Sequence, residues 1–171
     1  LTAQQAKLLA EARQDCDRLR AMVSDLLDLA RLEGGRLALQ LQDVPVAELV
    51  ARPLEEHTAL AEQRGVSLVS DITPDVGKIE VDPERIGLVL SNLVSNAVKF
   101  TPDEGRVTVR LSVRGRFAEV SVADTGEGIP ADALPHVFDR FYRGDAARSQ
   151  QDGESGLGLA IAKSIVEAHG G

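Results

Sequence analysis

The segment Ser155-Gly156-Leu157-Gly158 opens the last predicted helix and could bind an anion. Glycines at a helix N-terminus leave backbone N–H groups accessible at the positive end of the helix dipole. The segment lacks the Gly-Lys-Ser/Thr ending of a Walker A loop, and it follows a loop rather than the strand that a dinucleotide fingerprint requires. Taken alone, this Gly-x-Gly pattern is weak evidence for a site.

Two asparagines and a lysine stand at helical spacing. Asn96 follows Asn92 by four residues and Lys99 comes three residues later, so in a helix their side chains share nearly one face. Because asparagine disfavours helix interiors, the presence of two asparagines in one predicted helix requires an explanation. Either it makes caps and polar contacts to neighbouring loops, or it belongs to a functional site.

A carboxylate follows a predicted strand at Asp124, with Gly126 and Gly128 just beyond it. The carboxylate could accept a hydrogen bond from an amine, and the glycines permit positive φ or close approach of a ligand. In isolation the segment is better explained as a tight turn.

Three of the five aromatic residues lie together at Phe138, Phe141 and Tyr142, beside Arg140. Residues 143–155, which follow, contain only two alanines as apolar residues, which predicts a loop. We interpret the aromatic group as a small apolar cluster that anchors this loop.

A long helix is predicted over the first 33 residues, which contain neither Gly nor Pro. Its apolar residues recur at intervals of three and four, a heptad seam that indicates packing in a helix bundle. The seam consists of Leu9, Ala12, Cys16, Leu19, Val23, Leu26 and Ala30. Gly34 and Gly35 end the helix, and Cys16 is interpreted as a buried thiol.

The rest of the chain mixes helices and strands without regular alternation. Strands are predicted at 37–41, 66–72, 78–81, 106–114 and 117–123, the last two as a hairpin about Gly115. Helices are predicted at 45–64, kinked or interrupted at Pro53 and ended by Gly65, at 83–100 with Asp82 as N-cap, and at 157–168.

These elements indicate an α+β fold, a two-layer sandwich of a mixed sheet with helices on one face, preceded by the long bundle-forming helix. The predicted division is residues 1–35 and residues 36–171.

Composition excludes several classes of protein. The 171 residues carry a net charge of −8, which argues against non-specific nucleic-acid binding. A single cysteine excludes an internal disulfide framework. The longest charge-free stretch has 13 residues, too few to span a membrane, and we see no secretory signal, so a cytoplasmic location is expected.

In order along the chain, the motifs resemble the N, G1, F and G2 boxes of the ATP-binding domain of bacterial sensor histidine kinases. They read NLVSNAVKFT, DTGEGIP, FDRFYRG and SGLGLAIAKSIVEAHGG. The N-terminal stretch DLLDLARLEGGRLAL also resembles the second helix of that family's dimerisation and phosphoacceptor hairpin.

The resemblance implies a protein-histidine kinase that uses ATP and Mg²⁺. Asn96 would ligate Mg²⁺, Asn92 and Lys99 would lie near the phosphates, and Asp124 would accept a hydrogen bond from the adenine amine. The remaining implied nucleotide contacts are Gly126, Gly128, Ile129, Arg140, Tyr142, Ser155, Gly156, Leu157, Gly158 and Leu159. Residues 143–155 would form the ATP lid.

The family's acceptor histidine lies on the first hairpin helix, which is missing here, and His57, His136 and His169 lack its sequence context. We therefore expect this chain to bind ATP without phosphorylating itself. The resemblance also implies a homodimer in the intact kinase, a response regulator as partner, a possible membrane anchor in the parent protein and a further strand pair after Gly171.

Two alternatives stay open. Related ATPases of the gyrase, mismatch-repair and heat-shock chaperone groups hydrolyse ATP with a glutamate four residues before the metal-binding asparagine. That position is Asn92 here, which cannot act as a general base. The other alternative is a non-catalytic binding module, against which the intact motif set argues.

Overall fold

The computed structural model describes residues 2, 4–9, 12, 13, 16, 19, 20, 23, 26, 27, 39–72, 77–115, 117–144 and 155–171. The predicted glycine stop at Gly34 and Gly35, the boundary near residue 35 and most of the predicted lid lie outside these residues. Within them, no helix is long and apolar enough to cross a membrane.

Five strands form two sheets in the described part of the chain. Strand β1 (Gln42–Pro45) pairs antiparallel with β3 (Lys78–Val81). Strand β2 (Ser67–Ile72) runs parallel to β4 (Arg106–Arg114), which pairs antiparallel with β5 (Phe117–Asp124). The three-stranded sheet is therefore mixed, and the predicted hairpin is confirmed.

One strand prediction was misplaced. Leu39 and Leu41 are not in a strand, and pairing begins at Gln42. The partner strand β3 is only four residues long and its register reaches no further than Gln42, so nothing pairs with the preceding leucines.

Three helices accompany the sheets: α1 (Val46–Gln63), α2 (Pro83–Phe100) and α3 (Gly158–Ala168). A short 3₁₀ helix spans Leu134–His136. Of the predicted kink or interruption at Pro53, the interruption was wrong, because α1 continues through this residue. Pro53 is fully buried, and its packing offsets the backbone hydrogen bond that proline cannot donate.

The helices cover one face of the mixed sheet. Alternate β4 residues Val107, Val109 and Leu111 are buried in one core with side chains from α1 and α2, among them Val50 and Val98. On the other face, exposed Arg110 donates to Asp71 at 3.2 Å. This arrangement confirms the α+β class with helices on one face.

A second apolar cluster lies between α2 and α3. Val89 of α2 packs there with Leu157, Ile161, Ala162 and Ile165. Helix α2 therefore contributes to both cores and joins α3 to the rest of the domain.

The described residues between 4 and 27 are helical, as predicted. The seam side chains among them are exposed, including Leu19, Val23 and Leu26. Cys16 is exposed as well, so its interpretation as a buried thiol was wrong for this chain alone.

Asp82 caps α2 as predicted, with Arg85 N–H donating to its Oδ1 at 3.2 Å. Its Oδ2 accepts from Gln40 N–H at 3.0 Å, so the carboxylate also holds the segment that leads into β1. The side chain is only 6% exposed, and each of these bonds is therefore shielded from water.

We expect Asp82→Ala to lower the free energy of unfolding by roughly 1–3 kcal/mol, because a helix cap and a second hydrogen bond are lost. Asp82→Asn should lose less, since one amide oxygen can still cap the helix. Urea denaturation checks both. Exposed Asp132→Ala is the control, and an equal loss there would contradict the assignment.

Candidate functional site

Asn92, Asn96 and Lys99 lie on α2 as predicted, and all three are half-buried. The Arg64 guanidinium donates to the backbone oxygen of Lys99 at 2.7 Å. A cation therefore satisfies one of the last carbonyls of α2 and complements the negative end of its dipole. This contact fixes the end of the helix that carries the polar face.

Gly158, the first residue of α3, lies directly against Asn92. A Cβ built on Gly158 would lie 2.9 Å from Asn92 Oδ1, closer than side chains tolerate. The glycine is therefore required by close approach, not by an unusual backbone angle. This contact brings the Ser155–Gly158 segment against the face of α2 that carries the asparagines.

The turn before α3 is held by the aromatic segment. Gly156 has φ +68°, and a Cβ there would lie 3.0 Å from Phe141 Cα. Phe141 N–H donates to Gly156 O at 3.0 Å. The aromatic segment and the glycine turn before α3 are thus joined through their backbones.

Two leucines predicted as nucleotide contacts differ in burial. The Leu157 side chain is fully buried in the cluster between α2 and α3, which leaves its backbone as the part able to face a ligand. Leu159 is half-buried. Ser155 Oγ accepts from Leu157 N–H at 3.3 Å and supports the turn that opens α3.

Asp124 ends β5 and is exposed. Its Oδ1 accepts from Gly126 N–H at 2.9 Å, which orients the carboxylate. A Cβ on Gly126 would collide with the backbone oxygen of Phe100, so this turn packs against the end of α2. Gly128 has φ +75° with open space around it, and the adjacent Ile129 is exposed.

A threonine that sequence reasoning missed holds the Asp124 turn. Thr125 Oγ1 accepts from Arg106 N–H at 2.9 Å, and Thr125 N–H donates to Arg106 O at 3.1 Å. The only signal in the sequence was a threonine inside a glycine-rich turn, which does not identify its partner at the start of β4.

The aromatic group does not form a buried cluster, so that interpretation was wrong. Phe138 and Phe141 are 48% and 61% exposed. Phe138 lies 5.7 Å from Lys163 Nζ, and the rings of Tyr142 and His136 are 5.6 Å apart. The backbone bond to Gly156, not apolar burial, ties this segment to α3. Arg140 is exposed.

Each histidine has a hydrogen-bond partner close in sequence. His57 Nδ1 donates to Pro53 O at 2.8 Å, and His136 Nδ1 lies 2.7 Å from Asp139 Oδ2. His169 Nδ1 donates to Ile165 O at 2.8 Å.

The described residues contain no group of three or more His, Cys, Asp or Glu side chains able to hold a metal ion. A hard cation such as Mg²⁺ commonly binds with one or two protein oxygens plus substrate phosphates. The half-buried amide of Asn96, which lies one helical turn beyond Asn92, fits that second mode.

Comparisons with known proteins agree with one another. Residues 81–171 match a family profile described as histidine kinase-, DNA gyrase B-, and HSP90-like ATPase. Sensor protein DivL of Caulobacter vibrioides is 39% identical over 165 residues, which are 95% of this chain and 20% of that protein.

Two solved structures share the fold. Full-length ShkA, crystallised with AMPPNP, is 33% identical with a TM-score of 0.84, over 99% of this chain and 35% of that one. The mycobacterial sensor histidine kinase MprB is 34% identical with a TM-score of 0.63, over 76% of this chain and 80% of that one. The chain thus spans only a fifth to a third of the longer relatives.

We expect Gly158→Ala to lower the free energy of unfolding by about 1–2 kcal/mol, because the added methyl group meets Asn92 Oδ1. The loss should largely disappear in an Asn92→Ala background, where that atom is gone. Chemical denaturation of the double-mutant cycle measures this coupling.

Gly87→Ala is the matched control, because it adds a methyl group to α2 where no atom lies within 4 Å. It should stabilise the protein by roughly 0.5–1 kcal/mol, as Gly to Ala does in an open helix position. Equal losses from Gly158→Ala in both backgrounds would show that the contact with Asn92 is not the cause.

Proposed function

Because the chain belongs to the sensor histidine kinases within the histidine kinase-, DNA gyrase B- and HSP90-like ATPase family, we propose that it binds Mg²⁺-ATP and donates the γ-phosphate to a protein histidine. The observation that carries this proposal is the contact of Gly158 with Asn92. It sets the N-terminus of α3, with its N–H donors and positive dipole end, beside the amide face of α2.

The adenine end of the nucleotide is assigned to the β5 turn. Asp124 accepts the exocyclic amine, and its bond from Gly126 N–H holds the carboxylate in place for this task. Gly128 and Ile129 border the same turn, where the open space at Gly128 leaves room for a flat ring.

The phosphates are assigned to the start of α3 and to α2. Backbone N–H groups at Gly156 and Gly158, on either side of Leu157, would donate to phosphate oxygens, and the Lys99 ammonium would add a compensating positive charge. Ser155, Leu159, Tyr142 and Arg140 complete the proposed surroundings of the nucleotide. These groups supply the local positive potential that a chain of net charge −8 otherwise lacks.

Asn96 is the proposed protein ligand of Mg²⁺. When bound, the ion would neutralise part of the charge of the phosphates. The amide of Asn96 contributes a neutral oxygen donor that needs no deprotonation, and its place on the same face as Asn92 fits this role.

Transfer to a side chain is favoured over hydrolysis. A hydrolase needs a base to orient water, and the position that would supply it is Asn92, which cannot accept a proton. In transfer, an imidazole nitrogen attacks the γ-phosphorus as the bond to the bridging oxygen breaks, and ADP leaves.

The acceptor is proposed to lie on another helix. His57 and His169 are half-buried and hydrogen-bonded within their own helices, and His169 stands at the opposite end of α3 from Gly158. We further propose that residues 1–35 are the second helix of a dimeric hairpin in a longer cytoplasmic kinase region. A response-regulator aspartate would then receive the phosphate.

We expect the chain to bind Mg²⁺-ATP and Asn96→Ala to abolish the Mg²⁺-dependent part of the affinity. Asp124→Asn should weaken ATP binding about tenfold and remove the preference over ITP, which carries a carbonyl in place of the amine. Isothermal calorimetry measures each. The control, Asp71→Asn on the outer face of the sheet, should bind as the wild type does. An absence of Mg²⁺-ATP binding by the wild type would contradict the proposal.

With labelled ATP, the chain alone should acquire no acid-labile label and release phosphate no faster than the Asn96→Ala variant. Rapid phosphate release that Asn96→Ala abolishes would favour the hydrolase alternative. A phosphohistidine on the isolated chain would place the acceptor among its own three histidines.

A further inference from the structure

Both ring nitrogens of His169 are used in directional contacts. Nδ1 lies 2.8 Å from Ile165 O, which can only accept, so Nδ1 carries the proton. Nε2 lies 3.0 Å from Asp82 N, whose hydrogen it accepts. The geometry therefore requires the neutral imidazole with its proton on Nδ1.

The backbone at His169 is fixed by the two glycines that follow. Gly170 has φ +80°, and its N–H donates to Glu167 O at 3.0 Å. Gly171 N–H donates to Val166 O at 3.0 Å, which completes a Schellman cap. The His-Gly-Gly sequence thus sets the direction from which the ring leaves α3.

Helices α3 and α2 run antiparallel, with one directional or close contact at each end. His169 meets Asp82 at the start of α2, and Gly158 meets Asn92 ten residues further along it. Between these points the contact is apolar, formed by Val89 with Ile161 and Ile165. The hydrophobic effect that buries these side chains is non-directional, whereas a hydrogen bond fixes the distance between two particular atoms.

We propose that His169 is a positioning residue for the nucleotide site. Its bond from Asp82 N–H fixes α3 along the axis of α2 and so holds the Gly156 to Gly158 turn beside Asn92. Gly158 has no side chain with which to set its own position. This inference rests on the proposed function, because the effect of His169 is measured as a change in nucleotide affinity.

Asp82 makes this coupling specific, because its carboxylate caps α2 while its own N–H donates to His169. The residue that starts α2 is therefore also the reference point for α3. A shift of α3 along α2 would lengthen or break this hydrogen bond.

Two substitutions distinguish the effect of losing the accepting nitrogen from the effect of changing the volume of the ring. His169→Phe keeps a ring without an acceptor, and His169→Gln offers an oxygen near the position of Nε2. We expect His169→Phe to raise the Kd for Mg²⁺-ATP about tenfold, the effect of one lost hydrogen bond, and His169→Gln to stay within about threefold of wild type. Hydrogen exchange of the Asp82 amide, measured without nucleotide, should accelerate in His169→Phe alone.

Val46→Ala is the matched control for general destabilisation. Val46 is buried in α1, away from α3, so this variant should lower Tm while leaving the Kd unchanged at a temperature well below Tm. If His169→Phe does not fold, His169→Ala takes its place.

An unchanged Kd in His169→Phe, or an equal loss in Val46→Ala, would overturn the positioning role. So would failure of His169→Gln to restore affinity. If the wild type binds no nucleotide, the proposed function fails, and the positioning role fails with it. Unaltered exchange of the Asp82 amide in His169→Phe overturns the hydrogen bond itself, whatever the wild type binds.

Discussion

The packing of α3 along α2 is the contact on which the candidate site depends. It places the Gly156 to Gly158 turn against Asn92. The glycine at the N-terminus of α3 and the buried apolar cluster between the two helices make this arrangement possible. Without it, the polar face of α2 would be no more than a set of solvated amides.

The side chains of α2 fall into three groups around the helix, each with different surroundings. Val94 and Val98 pack on the sheet, Val89 packs on α3, and Asn92 and Asn96 remain half-buried between them. Asparagine costs some helix stability at such positions. The cap at Asp82 and the bond from Arg64 at the other end offset this cost, because each satisfies backbone or dipole requirements of the same helix.

What the sequence predicts well here is local. The bounds of α2 follow from Asp82, Pro83 and the apolar period, and the β4–β5 hairpin follows from alternation about Gly115. The motif order predicts the family and the residues to inspect. Non-local facts are out of reach of spacing: the parallel pairing of β2 with β4, the reason for Gly158 and the partner of His169 each depend on a residue far along the chain.

The misread features have the same origin. Alternating leucines indicate a strand only if a partner exists, and the pairing with β3 ends at Gln42, before Leu41 and Leu39. Pro53 breaks an isolated helix, yet burial retains it in α1. Clustered aromatic residues suggest a core, but spacing cannot show whether anything covers the rings.

The Asp82 to His169 hydrogen bond joins residues 87 apart, which has a consequence for how the domain assembles. Closing a loop of that length costs about 4 kcal/mol of chain entropy, beyond a constant, whereas one hydrogen bond returns about 1 kcal/mol. The deficit must be met by burying Leu157, Ile161 and Ile165 at the same time. Helix α3 therefore docks cooperatively, because its hydrogen bond to Asp82 and the burial of its apolar face must form together.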